Sequence, residues 1–577
     1  MLAAANRYVD VRQGAALDLL GTPFDGYAHL AEAPRIVARD GRRQGLANPP
    51  AVALFVWRLK AYPITHAPAY CLDRARNLYT FSILGNDTHL VERAVAEPSP
   101  THIATAENVP VFLRRRAVSD RLVDFYGPGK SFAIYRDGAA DPIPPSAIVI
   151  ADLTHWRYRP RRDQVLVDPV LGRIAFGARH APRRGVWVTY HYAFSDDIGG
   201  GEYPRDLATS PEARVYRVGP AGSSAQFERI NQAYERWRQD RTAGEAPHGI
   251  IEIVDSGAYQ EQLEFAVEPG ERLEVRAAEG ARPTLRLLDW YSNRPDALQI
   301  RGVPHEGHHH HHHHHDRPLP TVVLDGLLVT GRGVNVTGRL ASVVIRDCTL
   351  VPGWSLEPHC EPSRPEEPSL VLEETGACVQ IERSVLGTIV VIGNEVRTDP
   401  LPIHIADSIL DATASDREAL SGPDCSIAYA DLHAHRTTVI GEVHTHAVRI
   451  GEDSIFTGRM MVARRGIGCL RFSYVPPGSR TPRRHHCEPD TALAAAPGMA
   501  ELTAERVRPQ FTSTRYGTPA YGQLASNCAV EIVRGAADGS EMGAFHHLFQ
   551  PQRTDNLRAR LAEFSPAGTD AGIVFVT

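Results

Sequence analysis

The sequence predicts a mainly β chain with a solenoid at its centre and a small mixed α/β module after it. Three observations lead there. One short phrase, a polar or charged residue, then a small one, then alternating apolar residues, returns through 321–458. It reads Leu324-Asp325-Gly326-Leu327-Leu328, Arg346-Asp347-Cys348-Thr349-Leu350 and Glu382-Arg383-Ser384-Val385-Leu386. It continues as Ala406-Asp407-Ser408-Ile409-Leu410, His435-Arg436-Thr437-Thr438-Val439 and Glu452-Asp453-Ser454-Ile455-Phe456. Anchors placed at 325, 347, 383, 407, 436 and 453 lie 22, 36, 24, 29 and 17 residues apart, a quasi-period that marks stacked repeats. The apolar runs are short and β-branched, as in Val343-Val344-Ile345 and Thr388-Ile389-Val390-Val391-Ile392, so they read as strands.

A leucine-rich repeat would show fixed Leu spacing and an Asn ladder, and this sequence has neither. The phrase resembles the coils of a right-handed parallel β-helix of the pectate-lyase and phage tail-spike type. The stretch Ile251-Glu252-Ile253, Asp255-Ser256-Gly257-Ala258-Tyr259 and then Leu273 to Arg276 resembles the opening coils of pectate-lyase-like domains. The resemblance implies a β-helix over 249–478, its coils stacked at the inter-strand spacing of about 4.8 Å around an apolar interior. A β-sandwich with coincidental spacing is the alternative fold.

Ahead of it, 1–205 reads as an N-terminal β-rich docking region, with turns at Gly21-Thr22-Pro23 and Asn48-Pro49-Pro50 and a buried strand at 51–60. The unit from Val165 to Tyr192 alternates around Asp168-Pro169 and Leu171-Gly172, which predicts a β-meander. The phrases VDPVLGRIAF and VWVTYHYAF, followed by Gly199-Gly200-Gly201, resemble a β module of baseplate-type proteins in phage tails and contractile injection systems. The three glycines lack the Lys-Ser/Thr of a phosphate loop and read as a flexible joint. Residues 206–248 form a linker and an amphipathic helix over 223–241, capped by Ser223 or Ser224 and placed to cover the first coil. The segment 353–369, rich in Pro and Glu, is a projecting loop. The last region, 479–577, is mixed, with helical patterning over 520–535 and 554–564 and an apolar end strand at 571–577 that needs burial against the last coil or a subunit partner.

Composition bounds the function. A net charge of −6 and pI near 6.5 make no electrostatic case for nucleic acid, and Arg114-Arg115-Arg116 reads as solvated loop charge. No apolar run reaches membrane-spanning length, and the first ten residues lack a signal-peptide pattern, so cytoplasmic synthesis is expected. Eight scattered cysteines without a CxxC predict reduced thiols. His308 to His315 are eight consecutive histidines, read as an inserted affinity tag and set aside.

Chemistry could reside in the recurring Asp325, Asp347, Asp407 and Asp453, or in His433 with His435 and His444 with His446. Enzymes of the resembled class use carboxylates on an outer face to bind calcium, abstract protons or cleave glycosides. Because the aspartates recur at one place in the repeat, turn chemistry accounts for them. Each His-x-His points two imidazoles to one face of a strand, as zinc sites require, but 11 residues of separation set the pairs on different sheets. His359-Cys360 and His485-His486-Cys487 each need a distant partner. The expectation is therefore no catalytic residue, no cofactor and no bound metal, with His433, His435, His444 and His446 as the residues to watch. The resemblance implies a homotrimeric, non-enzymatic spike- or baseplate-associated part of a phage-tail-like particle, whose partners would be itself, other tail-like proteins or a surface polysaccharide. A carbohydrate-active enzyme on the same fold, and a self-assembling scaffold or shell subunit, are the alternatives.

Overall fold

The computed structural model describes residues 8–10, 30–32, 51–99, 102, 104–287, 297–304, 317–565, 567 and 570–577. The histidine run 308–315 and the turns at 21–23 and 48–50 lie outside them. The chain divides into two compact units: Met1–Pro63, Ala69–Asp196 and Pro551–Thr577 form one, and Ile64–Pro68 with Asp197–Gln550 the other.

The protein is mainly β with large parallel sheets, and these belong to the second unit. An 18-stranded sheet runs from Ala213–Val218 to Arg483–His485, and an eight-stranded sheet from Ala258–Tyr259 to Ile455–Phe456. The stack is longer than 249–478 at both ends. Each strand pairs in parallel with the corresponding strand one repeat later. Val343 lies on Val379 and Val379 on Ile403, while Ile345 lies on Ile381 and Ile381 on Ile405. Leu432 and Ala434 continue the two columns. All eight side chains are buried, so the period-2 alternation of each short run turns one apolar face into a continuous core.

The repeated phrase is the corner between the two sheets. Its register corrects the alignment read from the sequence: Asp325 pairs with Arg346, so Gly326, not Asp325, is the equivalent of Asp347. Gly326, Asp347, Arg383, Asp407, Arg436 and Asp453 all take left-handed backbone, with φ between 43° and 75°. Such a conformation costs a non-glycine residue about 1 kcal/mol or more. Hydrogen bonds made by the succeeding residue offset that cost. This residue points inward and is small and polar in most repeats: Cys348, Ser384, Ser408, Thr437, Ser454 and Ser473, all buried. The Cys348 amide donates to Ser384 Oγ (3.1 Å), the Ser384 amide to Ser408 Oγ (3.0 Å), and the Thr437 amide to Ser454 Oγ (3.1 Å). The Ser454 amide in turn donates to Ser473 Oγ (3.1 Å). Each of these hydroxyls also donates to the carbonyl two residues back, as Ser454 does to Glu452 (2.8 Å). The corner amides inside the core are thereby satisfied by a ladder of side chains.

The helix spans Ile230–Thr242 rather than 223–241. Ser223 instead closes a turn onto the Pro220 carbonyl (2.6 Å), and Glu261 caps the helix by accepting from the Ile230 and Asn231 amides (2.8 and 3.0 Å). Ile230, Ala233 and Trp237 enter the core of the stack at its first strands. A Cβ on Gly249 would stand 2.4 Å from the Trp237 ring, so only glycine lets the indole lie flat on that strand.

In the first unit, Val165–Asp168 and Arg173–Phe176 form the expected hairpin. Val186–Phe194 does not continue it as a meander; it pairs antiparallel with Ala133–Arg136 in another sheet. Arg115 is not solvated loop charge. It grips the fully buried Asp168 through two 2.9 Å bonds. The apolar C-terminal strand, Asp570–Phe575, pairs in parallel with Ala51–Val56. All eight cysteines are free.

Candidate functional site

The outward carboxylates of the corners are occupied. Arg383 reaches Asp347 through two 3.1 Å bonds and Arg436 reaches Asp407 (2.7 Å), so the left-handed column alternates Asp-Arg-Asp-Arg-Asp along its length. Asp325, one place earlier in the phrase, is buried between Arg346 (2.7 Å) and Arg205 (2.8 Å), and burial raises its carboxyl despite both cations. Asp453 accepts from the Ala537 amide (2.8 Å).

Arg205 belongs to a strap that the sequence did not disclose. Gly199-Gly200-Gly201 is buried rather than a flexible joint. The Gly199 amide donates to the Arg383 carbonyl (2.7 Å), the Gly200 amide to Thr349 Oγ1 (3.0 Å), and Tyr203 OH to Asp347 (3.1 Å). Farther along the stack the segment after 510 takes over, with Tyr521 OH on Asp411 (2.7 Å) and the Ala544 amide on Thr438 Oγ1 (3.0 Å). Glycine is required at 199 and 200 because a Cβ would strike Thr349 and the Leu327 carbonyl.

The four watched histidines share one sheet, correcting their expected separation. Ala428–His435 and Glu442–Glu452 are adjacent parallel strands, the second so long that its start pairs with Glu418–Ser421 and its end with Ala428–His435. Register still keeps the pairs apart. His433 stacks on His404 (4.1 Å, 17°) and is pushed down to about 4 by burial and by that neighbouring imidazole. His435 faces Glu452 (3.3 Å), and His446 meets the edge of Tyr429. His486 lies flat on Phe472, and Cys487 is buried.

His444 has a different setting. Glu418 and Glu442 are direct register partners on neighbouring strands, and His444 lies two residues after Glu442, hence on the same face. One oxygen or nitrogen from each lies within 4.8 Å of the others, and this is the only such three-residue group among the described residues. His444 Nε2 is 2.9 Å from Glu442, and its Nδ1 is 3.1 Å from the Cys425 carbonyl. The Glu418 carboxylate nearby holds the Cys425 thiol above its ordinary range. Arg459, mostly exposed, stands 3.5 Å from the far side of Glu442. The Glu442-x-His444 half of this group was legible as a same-face pair. Glu418 was not, because only strand register brings it in.

One groove of about 890 Å³ lies between the stack and the segment after 500, walled by Tyr474, Phe511, Pro476, Pro477, Glu501, Glu505 and Arg508. Among the described residues no helix is long and apolar enough to cross a membrane. Compared with known proteins, the chain matches no family model, no curated protein and no solved structure.

Proposed function

We propose that the stacked unit is a right-handed parallel β-helix and that the protein is a non-enzymatic structural or binding component, a spike- or baseplate-type part of a phage-tail-like assembly, working as a homotrimer. The observation that carries this reading is the use made of the corner carboxylates. Asp325, Asp347 and Asp407 each hold an arginine of the stack or its strap, and Asp453 holds a backbone amide. A lyase or hydrolase needs such groups free to bind calcium, take a proton or flank a scissile bond. Here they brace the stack instead. The hairpin Val165–Phe176, with its resemblance to baseplate modules, supports a docking role for the N-terminal unit.

The groove favours a second reading, a carbohydrate-active enzyme, since it joins aromatic walls to two carboxylates. Glu501 and Glu505 stand one turn apart on the single helix Ala500–Arg506, on one wall rather than on either side of a bond, which suits binding a saccharide better than cleaving it. Light-scattering mass combined with a screen of acidic and neutral polysaccharides tests both. A trimer that leaves every polysaccharide intact is expected. A monomer that cleaves one, and stops on Glu501→Gln, would establish the enzyme; a particle far larger than a trimer would indicate a scaffold or shell.

A further inference from the structure

We infer that Glu418, Glu442 and His444 form a site for a single divalent transition-metal ion of the zinc type. Register places Glu418 directly opposite Glu442, and like charges at paired positions repel unless something lies between them. Arg459 compensates only part of this, because it sits on the outer side of Glu442 and is 62% exposed. Glu418 makes no ion pair among the described residues. His444 and Arg459 pair with Glu442 alone, and a metal cation between the two carboxylates balances both.

The histidine is set for coordination. Its Nδ1 donates to the Cys425 carbonyl, and its Nε2, 2.9 Å from Glu442, donates to that carboxylate; a metal ion that displaces this Nε2 proton gains the lone pair as a ligand. The outer-sphere hydrogen bond at Nδ1 is the arrangement metal-bound imidazoles use to fix tautomer and ring orientation. Tetrahedral ligands about 2.0–2.2 Å from zinc are about 3.4 Å apart, so the Nε2 to Glu442 contact opens by only about half an ångström. An imidazole nitrogen with two carboxylates selects zinc or a similar ion over calcium and magnesium, which prefer all-oxygen sites.

The octahistidine run would mask any such site, so the test uses the full chain with 308–315 replaced by a Gly-Ser spacer, purified without a metal column. After chelation, loading with zinc chloride and desalting, elemental analysis is expected to find about one zinc per chain. His444→Ala and Glu418→Gln, each checked to melt like the parent, should weaken retention at least about 10-fold, while His433→Ala should leave it unchanged. Absence of retained zinc in the parent, or zinc that survives both His444→Ala and Glu418→Gln, would overturn the proposal.

Discussion

Asp411 is the residue at which burial and charge are most directly opposed. It is fully enclosed, accepts from Tyr521 OH (2.7 Å) and the Thr413 amide (2.7 Å), and has no cation beside it among the described residues; burial raises its carboxyl to about 6. Its folded value lies above that of the unfolded chain, so the native state binds the proton more tightly. The stack therefore loses stability as pH rises from about 4 through about 6 and carries the whole penalty above that, about 3 kcal/mol. Asp411→Asn keeps both hydrogen bonds, its amide oxygen accepting from Thr413 and its amide group donating to Tyr521. The variant should be more stable than the parent at about pH 7.5 by about 1–3 kcal/mol, and should lose that advantage near pH 4. Melting at the two pH values decides it. An asparagine variant less stable at the higher pH would mean that Asp411 stays ionised and that its charge is compensated.

At the scale of the element, the corners are held by the hydroxyl ladder. Ser454→Ala removes the acceptor of the Thr437 amide and leaves that donor buried, at a cost of about 1–3 kcal/mol. Ser454→Cys should fall between parent and alanine, since a thiol already fills the equivalent place at Cys348 and accepts weakly from the Leu327 amide (3.5 Å). Denaturant midpoints in the order Ser, Cys, Ala are expected, and an alanine variant as stable as the parent would make the ladder incidental. Much of this element was legible. The strand runs, the corner phrase and the inward Cys348 all follow from alternation and residue size. The offset at Asp325 was not, because Gly326 takes the left-handed place and an Asp just before it imitates the Asp of the next repeat. Counting half a coil between the histidine pairs failed for a related reason. Glu442–Glu452 passes through two strand positions with no turn to mark the change. The strap at 197–209 and the carboxylate facing Glu442 depend on register across distant strands, which composition and spacing do not encode.

At the scale of the whole molecule, the last strand of the first unit closes onto one of its early strands. Asp570–Phe575 runs parallel to Ala51–Val56 over six register pairs. Beyond it, Val576 is buried with Phe55, and Thr577 Oγ1 accepts from the amides of Arg58 (2.6 Å) and Leu59 (3.0 Å). This strand pair joins residues more than 500 positions apart. Closing a loop of that length costs only a few kcal/mol more than closing a short one, and burial of Phe55 and Val576 with the ladder hydrogen bonds offsets it. No part of the Ser ladder, the Asp-Arg column or the Asp411 contacts involves 570–577, since all of them lie within 197–550. Deleting 570–577 should therefore destabilise the first unit by at least about 3 kcal/mol and leave the parallel stack as it was. Calorimetry of the intact chain should resolve two transitions, and the truncated chain should show one lowered and the other unmoved. Limited proteolysis should then cut first within 51–196, while a fragment containing the stack persists. If both transitions fall together, the two units unfold as one cooperative body, and the C-terminal strand supports the stack as well as the unit it pairs with.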